Sequence, residues 1–235
     1  FRGPAATLPA ATARCGALAA LRSAERGGAA TGLMVTASHN PVGDNGVKLA
    51  DPGGEMLAQA WEPLATELAG AADAGAVEAS LRSVPVCAAT VADNGGLVLV
   101  GRDTRPSGEA LVAGALKGIA AVGGTARDCG VVTTPQLHWF VREHNAGREA
   151  TEAAYYEALA GAFKAIAPAA SAGVPPLLVD AANGVGSVAL DGLGVRLGGA
   201  GLLVREALHV DLGVRRERLE LRRRAHARVG ARRDQ

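Results

Sequence analysis

A chain of 235 residues that is 49% apolar yet only 3% aromatic can bury one large core or two modest ones, filled with Ala, Val and Leu. Such a core suits alternating strands and helices and argues against an aromatic-rich β-sandwich. Net charge is +1, but residues 1–214 carry 15 basic and 20 acidic side chains, so the body of the chain is not built for nucleic acid.

Leu8, Ala11, Cys15, Leu18 and Ala19 recur at helical spacing and predict an amphipathic helix over 8–22, ended by Gly27 and Gly28. Leu33, Met34 and Val35 within 32–37 read as a buried strand. Residues 38–46, rich in Asn, Asp, Gly and Pro, read as a loop, and 47–50 resume as a strand. A helix is expected over 56–69, with Pro63 as a kink or break. The Gly- and Ala-rich stretch 70–96 carries little signal. Leu97 to Val100 is a buried strand followed by a turn over 101–106, and Ser107 is placed to cap a helix reaching about Val122. Thr134-Pro135 opens another helix in the cap-then-Pro order, with Leu137, Phe140 and Val141 facing inward, and 151–167 forms one more. Residues 168–176 read as a linker, Leu177 to Val179 as a fresh strand, and Asn183-Gly184 as the turn into a short helix. Strands separated by helices of this length indicate an α/β fold with a parallel sheet, and a second α/β unit is expected from about residue 172.

Cys15, Cys87 and Cys129 form no Cys-x-x-Cys pair, so they read as free thiols in a reducing cytosol and not as a disulfide framework or zinc site. No apolar run approaches the roughly 18–20 residues of a membrane span, so a cytoplasmic protein without a membrane partner is expected. The chain opens on Phe1 and not on Met, and its natural N-terminus is expected upstream. Gly184-Val185-Gly186-Ser187-Val188-Ala189 fits the Gly-x-Gly-x-x-Ala dinucleotide fingerprint. The preceding strand ends several residues too early, and only Glu206 sits near the expected acidic position, so no such cofactor is expected. His138 beside Trp139 and Phe140 reads as a satisfied boundary residue, and His144, His209 and His226 lack ligand spacing.

The segment that carries chemistry is Thr36-Ala37-Ser38-His39-Asn40-Pro41, trailed by Asp44-Asn45-Gly46-Val47-Lys48. A loop at the carboxyl end of a parallel strand faces the crevice where ligands bind, and turn-forming neighbours leave the Ser38 hydroxyl exposed. His39 is poorly placed as its base, because adjacent side chains of an extended segment point to opposite sides. No Gly-x-Ser-x-Gly elbow is present either. For an isolated Ser, capping a turn is the alternative.

The run as a whole resembles the phosphoserine loop of the α-phosphohexomutase family. Its extension, Leu49-Ala50-Asp51-Pro52-Gly53-Gly54-Glu55-Met56-Leu57, resembles the branch acting on N-acetylglucosamine phosphates. Val100-Gly101-Arg102-Asp103-Thr104-Arg105-Pro106-Ser107, Thr133-Thr134-Pro135-Gln136-Leu137-His138 and Val179-Asp180-Ala181-Ala182-Asn183-Gly184 match further segments in the family's order. Phe1-Arg2 fits the end of its early Gly-Phe-Arg segment, and the resemblance runs to about residue 194.

The resemblance implies a mixed, largely parallel α/β domain over 1–170 and the beginning of a second, similar domain over 171–214. It also implies a double transfer on a phosphosugar. Ser38 gives its phosphate to the substrate, a 1,6-bisphosphate forms, the sugar reorients, and Ser38 takes back the other phosphate. The outcome is interconversion of N-acetylglucosamine 6-phosphate and 1-phosphate for UDP-N-acetylglucosamine biosynthesis. A phosphoserine adds a charge of about −1.5 to −2 and implies Mg²⁺ bound partly through its oxygens, with carboxylate ligands expected outside this chain. By the same resemblance Lys48 offsets charge or moves a proton beside the phosphoserine, His39 contacts the reacting groups, and Arg2 faces the loop. Asn40, Arg102, Asp103 and Arg105 are expected to support that loop from behind.

The family's Asp-Gly-Asp-x-Asp-Arg metal loop and Arg-x-Ser-Gly-Thr phosphate clamp do not occur in the sequence, and its sugar-selecting Glu-x-x-Gly segment has no counterpart after the matched motifs. Loss of one transition-state donor costs roughly 10²–10³ in rate, so the chain is expected to be a catalytically incomplete fragment. A phosphoglucomutase or phosphomannomutase is the near alternative, and a non-catalytic phosphosugar-binding relative the other. Residues 215–235 hold nine Arg and little to bury, so they are expected to be disordered or the product of a departed reading frame. A second unit of one strand and one helix would expose a sheet edge, so protease protection is expected over 1–170 only. Oligomeric state is not legible in the sequence.

Overall fold

The computed structural model describes residues 1–166, 177–179, 181, 184–197 and 204–206. The expected linker, the boundary at 170–171 and the Arg-rich tail lie outside these residues. Strand β1 (Arg2–Pro4) and helix α1 (Pro9–Glu25) lead into β2 (Thr31–Val35), and β3 (Asp44–Ala50) returns beside it. Helices α2 (Glu62–Gly70), α3 (Ala74–Ser83) and α4 (Ala88–Asn94) follow. Next come β4 (Leu97–Arg102), α5 (Gly108–Ala121), β5 (Thr125–Val131), α6 (Thr134–Asn145) and α7 (Glu152–Ile166). Beyond them lie β6 (Leu177–Val179), α8 (Val185–Leu197) and β7 (Val204–Glu206).

The first five strands form one sheet in the order β1-β3-β2-β4-β5. β2, β4 and β5 run parallel, joined by helical crossovers. β3 runs antiparallel to β2, because the short segment 36–43 allows a return but not a crossover. The sheet is therefore mixed, with its antiparallel pairings gathered toward the β1 edge.

β2 is the hub, buried at every position because helices cover both faces of the sheet. Leu33 and Val35 join the core beneath α1 and α5. Met34 points the other way, into a second core with Leu137, Phe140 and Val141 of α6. α1 and α5 approach backbone to backbone. A Cβ on Gly118 would sit 1.7 Å from the Ala13 carbonyl oxygen, and one on Gly16 2.4 Å from that of Ala115. The small residues that leave the chain poor in aromatics thus close this helix pair.

Several local expectations change in the folded chain. Pro63 kinks nothing: a 3-10 turn over Gln59–Trp61 precedes α2, and Pro63 lies in the first turn of α2, where a missing N–H costs nothing. The weak stretch 70–96 contains α3 and α4, and Asp73 caps α3 by accepting from Ala76 N at 2.9 Å. β5 is an added strand whose residues Thr125–Asp128 are exposed at the sheet edge. Thr133, one residue before the expected Thr134, caps α6 in a reciprocal capping box with Gln136. The second unit also goes further than one strand and one helix, since β7 pairs parallel with β6.

Candidate functional site

Because β2, β4 and β5 are parallel, their carboxyl ends open on the same side of the sheet. The segments leaving them carry Ser38, Asp103–Pro106 and Thr133–Pro135, and these line one cleft of about 810 Å³. Gly184–Gly186, at the start of α8, close its far wall. The glycines that mimic a dinucleotide fingerprint therefore form a wall of this cleft.

Ser38 and His39 are both exposed on the loop after β2. Ser38, Asn40 and Lys48 line the cleft. Lys48 lies on β3 opposite Met34 and is half-buried. Among the described residues it has no ion-pair partner.

The loop holds its shape through Arg105. Its Nη1 donates to the carbonyls of Pro41 at 2.6 Å and Asp44 at 2.8 Å. Its Nη2 donates to the carbonyls of Asn40 at 2.8 Å and Ala37. Nε faces Asp103 Oδ2 at 3.3 Å. All five guanidinium N–H groups are thereby directed at the loop or at Asp103. Asp103 in turn accepts from Arg105 N at 3.0 Å and from Thr36 Oγ1 at 2.7 Å. Thr36 Oγ1 stands 3.5 Å from Ser38 Oγ. Two amides complete the frame: Asn40 Nδ2 donates to Asp44 at 3.0 Å, and Asn45 Nδ2 to Ser107 Oγ at 2.9 Å. That last bond explains why Ser107 makes no side-chain cap on α5.

Not every expected residue joins this assembly. Arg102 turns away to Glu109 on α5 at 2.8 Å, so its contact is with the helix and not with the Ser38 loop. Arg2 is exposed on β1, whose register pairs it with Gly46. It lines a separate hollow of about 330 Å³ that shares Lys48 with the main cleft. His138 stands outside the cleft: its Nδ1 donates to the Gly54 carbonyl at 2.8 Å, while its buried Nε2 has no partner among the described residues. The reading of His138 as a satisfied boundary residue is met at Nδ1, and among the described residues not at Nε2. Thr36 and Asn45 were present in the quoted motif without a role, and their signal lay in that motif alone.

Cys15 lines the hollow of Arg2 but neither it nor Cys129 lines the main cleft, and burial pushes both thiols up to about 11. Among the described residues no group of three His, Cys, Asp or Glu is placed to hold a metal ion. No helix among the described residues is long and apolar enough to cross a membrane.

The family described as phosphoglucomutase/phosphomannomutase, alpha/beta/alpha domain I, matches residues 11–74 and 67–151. The phosphoacetylglucosamine mutase of Arabidopsis thaliana is 43% identical over 203 residues, which cover 82% of this chain and 36% of that protein. The crystal structure of Aspergillus fumigatus N-acetylphosphoglucosamine mutase in complex with GlcNAc-6P and magnesium is similar with a TM-score of 0.76 at 40% identity. A Ser-to-Ala variant of it in complex with glucose 1,6-bisphosphate gives 0.78 at 39% identity. Each covers 88% of this chain and 39% of the solved one. The chain thus spans little more than a third of the length of these relatives.

Proposed function

The chain belongs to the phosphoglucomutase/phosphomannomutase family, and from that premise we propose that it is the phosphoserine-bearing part of a phosphoacetylglucosamine mutase. Ser38 carries the phosphate exchanged between N-acetylglucosamine 6-phosphate and N-acetylglucosamine 1-phosphate, through a 1,6-bisphosphate, for UDP-N-acetylglucosamine biosynthesis. Domain I occupies 1–170, and a second domain begins at 171. The observation that carries this reading is an exposed Ser38 at the mouth of the cleft, on a loop whose carbonyls are fastened from behind by Arg105.

Phosphoryl transfer asks little of a protein beyond positioning and charge compensation. Lys48 supplies a positive charge within the same cleft and offsets the charge that builds on the transferring group, or moves the proton of the sugar hydroxyl. His39, exposed beside Ser38, is free to meet the substrate. Arg2 acts from the β1 side. Arg105, Asp103 and Asn40 keep the loop in place, and Arg102 is left a structural part at the root of α5. Magnesium, when bound, neutralises phosphate charge. The described residues would contribute the Ser38 phosphate oxygens and no carboxylate cluster, so they do not make a metal site by themselves. Three free thiols fit a cytosolic setting.

The test is exposure of the full-length protein to glucose 1,6-bisphosphate followed by peptide mass spectrometry. Phosphate on Ser38, absent from Ser38→Ala, is the expected result. An unmodified Ser38 in the full-length protein would overturn the proposal. Turnover of N-acetylglucosamine 6-phosphate at the rate of glucose 6-phosphate or below would leave transfer standing but remove the sugar assignment.

A further inference from the structure

Resting on that reading, we infer that Thr36 is a positioning residue for Ser38. It accepts the hydrogen bond of the Ser38 hydroxyl and so turns a Ser38 lone pair toward the cleft in the unphosphorylated protein. Two distances carry the argument: Thr36 Oγ1 lies 2.7 Å from Asp103 Oδ2 and 3.5 Å from Ser38 Oγ. An ionised carboxylate only accepts hydrogen bonds, and a hydroxyl has a single proton to donate. The Thr36 proton therefore belongs to the Asp103 contact. Only one direction is left for the other: Ser38 donates and Thr36 accepts.

The orientation of Thr36 is inherited from groups that cannot easily turn. Asp103 is held by the Arg105 backbone N at 3.0 Å and faces the Arg105 Nε at 3.3 Å. Thr36 is only 2% exposed although it lines the cleft, so its oxygen has little access to water. The 3.5 Å separation is long for a hydrogen bond, as contacts in catalytic sites often are before the reacting complex forms. Arg105 thus fixes the backbone of the loop, and Thr36 fixes the direction of one hydroxyl on it.

The contact exists in only one covalent state of Ser38. Once phosphorylated, Oγ is an ester oxygen without a proton, and Thr36 loses the donor. Thr36 therefore favours the free hydroxyl, aligned for attack on an incoming phosphorus, and does nothing comparable for the phosphoserine.

The experiment is single-turnover phosphorylation of Ser38 in the full-length protein by a hexose 1,6-bisphosphate, for wild type, Thr36→Val and Thr36→Ser. Thr36→Val keeps the buried shape and removes the hydroxyl. Its maximal rate should fall about tenfold, the scale of one lost hydrogen bond, at an unchanged half-saturating concentration. Thr36→Ser should restore the rate. A Thr36→Val rate within twofold of wild type overturns the inference, and so does a loss shared equally by Thr36→Ser or confined to half-saturation. A wild type that takes no phosphate breaks the proposed function itself and this inference with it.

Discussion

The loop at the carboxyl end of β2 and the loop leaving β3 at the opposite end are each fastened by one arginine, but to different atoms. Arg105 bonds to main-chain carbonyls between Ala37 and Asp44, and the side chains of Ser38 and His39 remain exposed. Arg22 of α1 instead grips the side chain of Asp51, with Nε 3.0 Å from Oδ1 and a second contact from Nη2 to Oδ2. The Trp61 ring lies 5.0 Å from its guanidinium. Asp51 is only 3% exposed, and the hydrogen bond to it is the main cause that raises the Arg22 guanidinium above its usual range. Asn145, at the end of α6, adds a 2.7 Å bond to the Pro52 carbonyl. A loop held by its main chain keeps its side chains for chemistry, whereas a loop held by a side chain is a structural joint.

Breaking each fastening in turn tests that contrast. The largest effect is expected from Asp51→Ala, which strips the buried Arg22 of its two-pronged partner and leaves it Glu25 as ion-pair partner, and should cost about 1.5–3 kcal/mol in urea unfolding. Phosphate uptake by Ser38 per folded molecule should stay at the wild-type level. If uptake falls in step with stability, the two loops are not independent.

Arg105→Ala should act the other way round. Ser38 phosphorylation should drop about 10²-fold, while stability falls by less than in Asp51→Ala. Arg105→Lys should fail to restore the rate, since an ammonium is a point charge and cannot reproduce a planar fork of five donors. Full activity in Arg105→Lys would show that charge, not the carbonyl bonds, sets the loop.

The smallest effect concerns acid. Glu143 sits on α6 two residues before Asn145, and hydrogen bonds from Arg148 and then Arg142 hold its carboxyl down at about 2, against an ordinary 4.5. A carboxyl lowered in the folded state contributes stability above its unfolded value and loses that contribution as pH falls toward the folded one. The unfolding midpoint should therefore decline between about pH 4.5 and 2, and Glu143→Gln should flatten this part of the profile. The expected order of events is loosening at the Asp51–Pro52 side before the Ser38 loop, which hydrogen exchange measured at pH 3 would check.

The central parts of the fold were legible because their signals are local. The apolar runs Leu33–Val35 in β2 and Leu97–Val100 in β4, the helical spacing of α1 and the turn residues after Ser38 each occupy one short window of sequence. The site was legible to the extent that one motif holds it: Ser38, Asn40 and Lys48 reach a common cleft from the same stretch of chain. Where the window held little, the reading failed. β5 has exposed Thr125–Asp128 because it is an edge strand, and an edge strand shows no apolar run. α3 and α4 have few large apolar residues, so their helical character depends on packing over α1 and α2. Arg102 and Arg105 stand three residues apart in one motif, yet one turns to Glu109 and the other to the loop.

What the amino-acid order determined by itself is therefore the reactive loop, the strands that deliver it and the family to which they belong. Periodicity and turn chemistry act within a few residues, and they survive in a linear string. What only the tertiary structure decided is which acceptors those residues meet. Every residue carries the same carbonyl oxygen, so nothing in the sequence says that Arg105 bonds to those of Ala37, Asn40, Pro41 and Asp44. The direction of the Thr36 hydroxyl is likewise decided by a carboxylate 67 positions further along the chain. Such contacts arise only when β4 is laid beside β2, and they are what turns an exposed serine into a positioned one.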